Sequence, residues 1–246
     1  MKIKKNVSQF DHDVVSGGGY QYTGNKLSSF LANKRMSDSI KAFFDFTSLS
    51  VLDCGCGDGK YTKDYIEFGA ASVLGLDPAE KAIESASKSN DHKGIRFAVG
   101  DVYKLNTNGD IKNRKLLFDI AVLRGVLHHV SDQALAVRSV AQVANRILIL
   151  EPNGSNPALK FIEKLSRYHV EHEEQSFTLN QIQRWLLDAG YCQIKHKYIN
   201  LVPFFCPDWF AKLADFLTPI FEKIPLLRVF LCGQIILIAK HQNIND

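Results

Sequence analysis

The sequence predicts an α/β protein built on a doubly wound sheet of seven strands, with a helical lid before the first strand and a helical insertion before the last. Short apolar runs alternate with segments of helical periodicity, as a parallel sheet covered on both faces by crossover helices requires. The first run, at 49–53, ends in Asp53 and leads at once into three alternating glycines. In such sheets a ligand binds beyond the carboxyl ends of the strands.

The predicted elements follow one another in regular order. Residues 1–26 are polar and glycine-bearing and indicate a loop, whereas 27–46 has apolar residues at helical spacing and predicts one or two helices that cover the strand ends. The first five strands are predicted at 49–53, 72–77, 95–99, 117–123 and 146–151. The helices between them are predicted at 60–69, 79–89 and 132–144. We therefore assign 1–46 to an N-terminal loop and helical lid, and 47–246 to one domain.

The C-terminal third completes the predicted sheet. A helix within 176–191 should begin at Thr178 and end at Gly190, and strands six and seven are predicted at 193–200 and 234–241. Between these strands, about 201–233 is rich in Phe, Leu and Pro and is longer than a hairpin connection needs. This segment is the predicted insertion.

One face of the insertion is predicted to be apolar. Its large apolar side chains recur at near-helical intervals: Phe204, Phe205, Trp209, Phe210, Leu213, Phe216, Leu217 and Phe221. The face could pack on the sheet edge or form a homodimer contact. Alternatively, because Lys212, Lys223 and Arg228 flank it, the segment 204–228 could touch a membrane surface or a lipid-linked substrate.

Composition excludes several classes of function. The 246 residues carry a formal charge of +4 without a dense basic block, which argues against a nucleic-acid partner. Five cysteines without paired spacing indicate neither a zinc site nor a disulfide framework, which is typical of a cytoplasmic protein. We also expect no signal peptide and no membrane span. The His- and Glu-rich segment 169–174 is interpreted as solvent-facing, so no metal is predicted, although His169 or His172 could lie over a substrate entrance.

The glycine loop decides between two nucleoside-binding classes. Gly55, Gly57 and Gly59 give a turn that lets a ligand approach the backbone closely. A dinucleotide fingerprint needs its third glycine three residues after the second, where this chain has Lys60. The spacing therefore disfavours a nicotinamide cofactor.

Three motifs in order, DCGCGDG, GLDPAEKAI and the Gly-Asp pair at 100–101, resemble class I S-adenosylmethionine-dependent methyltransferases. The resemblance covers about 49–151 and implies a Rossmann-like methyltransferase sheet. It implies that Asp53 and the loop at Gly55, Cys56 and Gly57 hold the methionine moiety. The backbone of Arg124 would meet the methionine ammonium group.

The same resemblance assigns the nucleoside contacts. Asp77, at the end of the second strand, would accept both ribose hydroxyls, since a carboxylate can accept two O–H bonds at once. Pro78 and Ala79 would pack against the adenine. Asp101 would accept from the adenine amino group, with the Val102 N–H nearby.

Candidate catalytic residues lie in GVLHHVSD, at 125–132. A histidine can remove a proton from an acceptor at neutral pH, so His128 and His129 are candidates, of which we expect one to face the pocket and the other to anchor the loop. Tyr20 and Tyr22 could close over the sulfonium. The segment YQYT resembles phosphoethanolamine methyltransferases, which implies a pair of Tyr22 with His129. Alignment of nucleophile and methyl group could also suffice without a base.

The sequence thus predicts a methyltransferase that acts on oxygen or nitrogen of a small-molecule, sugar or lipid-linked acceptor. The alternative is a non-enzymatic, cofactor-binding scaffold that docks a partner through its C-terminal apolar segment. A methyltransferase acting on nucleic-acid bases is disfavoured, because the Asn/Asp-Pro-Pro-aromatic segment of that class is missing after the fourth strand.

Overall fold

The computed structural model describes residues 26–112, 118–165 and 175–242. Seven strands form one sheet in the order β3-β2-β1-β4-β5-β7-β6. The strands are β1 Ser50–Cys54, β2 Ser72–Asp77, β3 Ile95–Val99, β4 Ile120–Arg124, β5 Arg146–Pro152, β6 Tyr191–Ile199 and β7 Gln234–His241. The predicted seven-stranded fold is confirmed.

The first five strands are parallel, and β1 lies between β2 and β4. From β1 the strand order runs outward to β2 and β3 on one side and to β4 and β5 on the other, so the order of the strands reverses beside β1. Doubly wound folds bind their ligands at this point. β7 is antiparallel to both β5 and β6 and separates them in the sheet.

Nine helices cover the sheet in the described ranges, with short 3-10 turns at Val102–Thr107 and Leu127–His129. They are α1 Leu27–Phe43, α2 Thr62–Glu67, α3 Glu80–Ser89, α4 Gly109–Lys112, α5 Gln133–Ala141, α6 Pro157–Leu165, α7 Leu179–Asp188, α8 Asp208–Phe221 and α9 Pro225–Leu231. The lid segment forms one continuous helix, α1. As predicted, α7 begins after Thr178, which makes a capping box with Gln181, and ends before Gly190, whose φ is +86°.

Two apolar layers cover the sheet faces because neighbouring strand residues point to opposite sides. Leu52 of β1 belongs to the layer that α5 and α7 cover, whereas Val51 belongs to the layer that includes α1 and α2. Both residues are fully buried. This two-sided burial accounts for the apolar strand runs in the sequence.

Two polar contacts hold the insertion, here α8 and α9, to the rest of the protein. Glu222, next to the C-terminus of α8, accepts hydrogen bonds from Arg35 of α1 and from the Asn200 N–H. Asn153, after β5, donates to the carbonyls of Val229 and Cys232 at 2.8 and 2.9 Å. The insertion is therefore packed against the domain at both of its helices.

The face of α8 that packs inward is made of small residues. Ala211, Ala214 and Thr218 are buried against the domain. Large side chains point outward instead, and Trp209 and Phe216 are 69% and 74% exposed. None of the helices within 26–112, 118–165 and 175–242 is both long and apolar enough to cross a membrane.

Candidate functional site

The glycine loop joins the carboxyl end of β1 to α2. The N–H groups of Gly55 and Cys56 donate to the Leu76 carbonyl at 2.7 and 3.0 Å, which folds the loop back onto β2. Gly55 has a φ of +72°, and a Cβ atom there would lie 2.6 Å from Cγ2 of Val126. A side chain at Gly55 would therefore be strained and would clash. Glycine at position 55 therefore lets the loop pack closely against Val126.

Cys56 is a small, half-buried side chain of the loop. Burial raises the pKa of its thiol well above the ordinary value. The thiol therefore stays neutral at physiological pH and contributes volume, while the backbone at this position shapes the loop.

Asp77 ends β2 and contacts the glycine loop directly. One carboxylate oxygen accepts from the Gly57 N–H at 2.9 Å, and the other accepts from the Ala79 N–H, also at 2.9 Å. Pro78 is exposed beside it, whereas Ala79 is buried. Three of the predicted cofactor residues, Gly57, Asp77 and Pro78, therefore lie at one place on the sheet edge.

Asp53 is a buried acid beneath the loop. Its carboxylate accepts a hydrogen bond from the Thr62 hydroxyl at 2.7 Å. Burial raises the pKa of Asp53 from its ordinary value of 3.8 to about 7, against the opposing effects of the Thr62 hydrogen bond and the nearby Arg124 charge. A positive group arriving here would favour the charged carboxylate.

The Arg124 side chain connects β4 to α1. Its guanidinium donates to the Ser37 hydroxyl at 2.9 Å and to Asn33, and lies 3.6 Å from the Asp64 carboxylate. It also stacks on Tyr61, 3.9 Å from the ring centroid. The sequence assigned a role to the backbone of Arg124 only. The side chain instead fixes α1 against the region that follows the glycine loop.

Asp101 and Val102 follow β3 at the same edge. The Gly100 N–H donates to the Asp77 carbonyl at 3.0 Å, which keeps this segment beside β2. The Asp101 carboxylate accepts from the Tyr103 N–H at 2.9 Å and caps the 3-10 turn. Val102 packs against the core. Asp101 thus has a structural role as a cap in addition to the ligand contact predicted for it.

The two histidines sit in the 3-10 turn after β4, with ring centroids 3.9 Å apart. Nδ1 of His128 lies 2.7 Å from an oxygen of Glu151. The other Glu151 oxygen accepts from the N–H groups of Val126 and Leu127 at 2.8 and 2.7 Å. Sequence reasoning missed Glu151, although an acid at the end of a strand beside the loop of two histidines was a usable signal.

Several candidate residues lie outside the described ranges. They are Tyr20, Tyr22, His169 and His172. The predicted pairing of Tyr22 with His129 therefore remains a prediction.

Four polar residues stand at or next to the carboxyl ends of parallel strands near the glycine loop: Asp53, Asp77, Arg124 and Glu151. A family model described as a methyltransferase domain matches residues 29–201, well over half of the chain. The chain belongs to this family. It is an S-adenosylmethionine-dependent methyltransferase domain. The binding site for that cofactor must hold a ribose, an adenine and an amino acid moiety.

Among curated relatives of this methyltransferase domain is the ubiquinone biosynthesis O-methyltransferase of Rhizobium etli. It is 30% identical over 154 residues, which are 63% of this chain and 54% of the relative. The chain thus spans about half the length of the curated relatives that it matches.

Solved structures of other methyltransferases share the fold. Magnesium protoporphyrin IX methyltransferase from Synechocystis, with bound S-adenosylhomocysteine, has a TM-score of 0.64 at 16% identity and covers 96% of this chain and 99% of its own. An S-adenosylmethionine-dependent methyltransferase from Thermotoga maritima has a TM-score of 0.65 at 12% identity, over 95% and 98% of the two chains.

Proposed function

We propose that the protein transfers the methyl group of S-adenosylmethionine to an oxygen or nitrogen atom of a small-molecule, sugar or lipid-linked acceptor. The observation that carries the proposal is the position of two acids beside the glycine loop, since Asp77 accepts a hydrogen bond from Gly57 and Asp53 lies buried near the carboxyl end of β1. Carboxylates accept hydrogen bonds, so two of them beside the glycine loop suit a ligand with hydroxyl and ammonium donors.

Within this proposal, Asp77 accepts the two ribose hydroxyls, and Asp53 and the Arg124 backbone receive the methionine ammonium group. The loop at Gly55, Cys56 and Gly57 borders the methionine moiety. When bound, the cofactor supplies a methyl group on a positively charged sulfur. The protein orients that methyl group and keeps water away from it.

At the other end of the cofactor, Asp101 and the Val102 N–H recognise the adenine, with Pro78 and Ala79 against its face. The hydrogen bond from the Gly100 N–H to the Asp77 carbonyl supports this assignment. It keeps the residues proposed to bind the adenine next to the residue proposed to bind the ribose.

Oxygen is the favoured acceptor atom. A hydroxyl acceptor gives up a proton as its methyl bond forms, and a base beside the site assists that loss. His128 and His129 can serve this role, with Tyr22 closing over the sulfonium. The named activity of the Rhizobium etli relative, an O-methyltransferase, agrees with this choice.

We further propose that the acceptor is amphipathic and is met at a membrane surface by a cytoplasmic enzyme. Trp209, Leu213, Phe216 and Ile220 are spaced by four, three and four residues, so they share one side of α8, and all are exposed. On α9, the side chains of Leu226, Leu227, Phe230 and Leu231 are also exposed. We call these eight residues the apolar surface.

Charge favours an anionic lipid layer as the occupant of the apolar surface. Lys212 and Lys223 are exposed beside it, as is one acid, Asp208, next to Trp209. Another nearby acid, Glu222, is buried in its pairs with Arg35 and Lys197, so exposed lysines outnumber exposed acids at this surface. An apolar face bordered by lysines binds a membrane interface by burying its rings while its ammonium groups meet lipid phosphates.

Sedimentation with vesicles tests the surface. The protein should sediment with phosphatidylglycerol vesicles at low salt and much less with phosphatidylcholine vesicles. The double variant Trp209→Ser, Phe216→Ser should lose binding, whereas Leu187→Ser, which removes an exposed leucine from α7, should keep it. Wild-type protein that stays in the supernatant would contradict the membrane proposal. A dimer that the double variant dissociates, seen by light scattering, would assign the surface to a second copy of this chain.

Methyl transfer itself is tested with S-adenosylmethionine labelled on the methyl group and a panel of amphipathic phenols, sugars and lipid extracts. We expect label in at least one acceptor and S-adenosylhomocysteine in equal amount. Protein that binds the cofactor but labels no acceptor would favour the alternative, a cofactor-binding scaffold that docks a partner.

A further inference from the structure

Glu151 is the most completely enclosed acid at the candidate site. It lies in β5 next to the last residue of the strand and is 0% exposed. Its two oxygens face three nitrogen atoms of the 3-10 turn and of the residue before it: the backbone nitrogens of Val126 and Leu127 and Nδ1 of His128. A single buried carboxylate thus holds the whole segment that follows β4.

The hydrogen-bond partners of Glu151 indicate which nitrogen of His128 carries a hydrogen. Glu151 already accepts from two backbone N–H groups, so we assign it the accepting role in the 2.7 Å contact as well, with the hydrogen on Nδ1 of His128. In a neutral ring with its hydrogen on Nδ1, Nε2 carries no hydrogen and is the nitrogen able to take a proton. Without the Glu151 carboxylate, nothing in this pair would favour the Nδ1–H tautomer over the Nε2–H tautomer.

The position of the pair suits a role in catalysis. β4 and β5 are parallel neighbours, and the Gly125 N–H donates to the Leu150 carbonyl, so the pair lies at the same sheet edge as Asp53. The His128 side chain is 11% exposed, whereas that of Glu151 is not exposed. The imidazole is therefore the partly exposed member of the pair, and the carboxylate is the enclosed one.

We propose that Glu151 is a positioning residue, which holds His128 in the Nδ1–H tautomer so that Nε2 accepts the proton of an acceptor hydroxyl. This inference rests on the proposed methyl transfer to oxygen. As the acceptor oxygen forms its bond to the methyl group, the bond from sulfur to that carbon breaks and its electrons stay on sulfur. The hydroxyl proton moves to Nε2, and the carboxylate of Glu151 balances the imidazolium charge until solvent removes the proton.

The proposal assigns different roles to the two histidines. His128 is the base, and His129 packs against its ring. This differs from the family analogy, which pairs His129 with Tyr22.

Nitrogen NMR of the histidine rings tests the tautomer without any acceptor. In ¹⁵N-labelled protein with bound S-adenosylhomocysteine, the signals that His128→Asn removes should show Nδ1 protonated and Nε2 unprotonated. Glu151→Gln should shift this equilibrium toward the other tautomer. Glu163→Gln is the matched control, because Glu163 also accepts a backbone N–H, from Ser176, but lies in α6. It should leave the spectrum unchanged.

Kinetics give the second measurement. His128→Asn keeps an N–H donor for Glu151 but lacks Nε2, so kcat should fall by at least about 100-fold while S-adenosylhomocysteine affinity stays within about twofold. Glu151→Gln should lower kcat in the same direction, again with little change in cofactor affinity. If Glu151→Gln does not fold, the wild-type tautomer and the His128→Asn kinetics still decide.

Either of two results would contradict the proposed role of Glu151 and His128. A wild-type His128 protonated on Nε2 alone, or full turnover in His128→Asn, would contradict the proposal. Absence of methyl transfer to any acceptor would instead count against the proposed function, and the tautomer measurement would still report on whether Glu151 holds His128.

Discussion

Binding of the cofactor should release a proton from Asp53. Burial raises the pKa of this carboxyl to about 7, so about half of the unliganded molecules carry the proton at pH 7. We assign the cofactor's ammonium group to Asp53, and a nearby positive charge lowers the pKa of an acid. Binding at pH 7 should therefore release up to about half a proton per molecule.

Isothermal titration calorimetry measures this release directly. S-adenosylhomocysteine is titrated at pH 7 into wild-type protein in buffers of low and high ionisation enthalpy, such as phosphate and Tris. The observed enthalpy should change with buffer by the released fraction of a proton. Asp53→Asn cannot release one and serves as the control. Equal proton release in wild type and Asp53→Asn would refute the reasoning.

The same raised pKa affects stability, with a definite sign. The folded-state pKa lies above that of the unfolded chain, so the unfolded state loses its proton first as pH rises. The Asp53 contribution to stability is largest below about pH 4 and is lost as pH rises through about 7. From pH 5 to pH 8 the free energy of unfolding should fall by roughly 2 to 3 kcal/mol relative to Asp53→Asn. Urea unfolding at the two pH values gives this difference, and an equal pH dependence in both proteins would contradict the assigned pKa.

Three further predictions concern the loop and the insertion. Gly55→Ala should destabilise the protein by about 1 to 3 kcal/mol in thermal unfolding and weaken S-adenosylhomocysteine binding, because its methyl group meets Val126 at a positive φ. Unchanged binding would argue against a role of this loop in binding the cofactor. Asn153→Ala should cost about 1 to 3 kcal/mol in urea unfolding, because the Val229 carbonyl loses the Asn153 donor and the Cys232 carbonyl keeps only the 3.3 Å bond from Asn156, and wild-type stability would contradict this. Glu222→Gln should cost about 2 to 3 kcal/mol, and Arg35→Ala in the Glu222→Gln background should add less than it does alone if the two residues act as a pair.

Local sequence signals predicted the fold because each operates over a few residues. The capping box at Thr178 and the positive φ at Gly190 set the bounds of α7 by short-range hydrogen bonds and sterics. In the same way, a strand, an acid and alternating glycines specified a loop, and the contact between Asp77 and Gly57 follows from the parallel pairing of β1 and β2.

Contacts between distant segments could not be predicted in this way. Glu151 meets His128 only because β5 lies beside β4, and Arg35 meets Glu222 across 187 positions of sequence. The periodicity of α8 predicted an apolar face. That this face points outward depends on the close approach of Ala211 to the domain, which is a property of the packed structure.

Calorimetric titration of S-adenosylhomocysteine into wild type, Asp77→Ala and Glu80→Ala tests the central claim most directly. Asp77 contacts the glycine loop, whereas Glu80 is exposed at the start of α3 and serves as the matched control. We predict one binding site in wild type and in Glu80→Ala, and an affinity at least about 10-fold weaker in Asp77→Ala, about the loss expected for hydrogen bonds to a charged group. Wild-type affinity in Asp77→Ala would contradict the assignment of this sheet edge as the cofactor site.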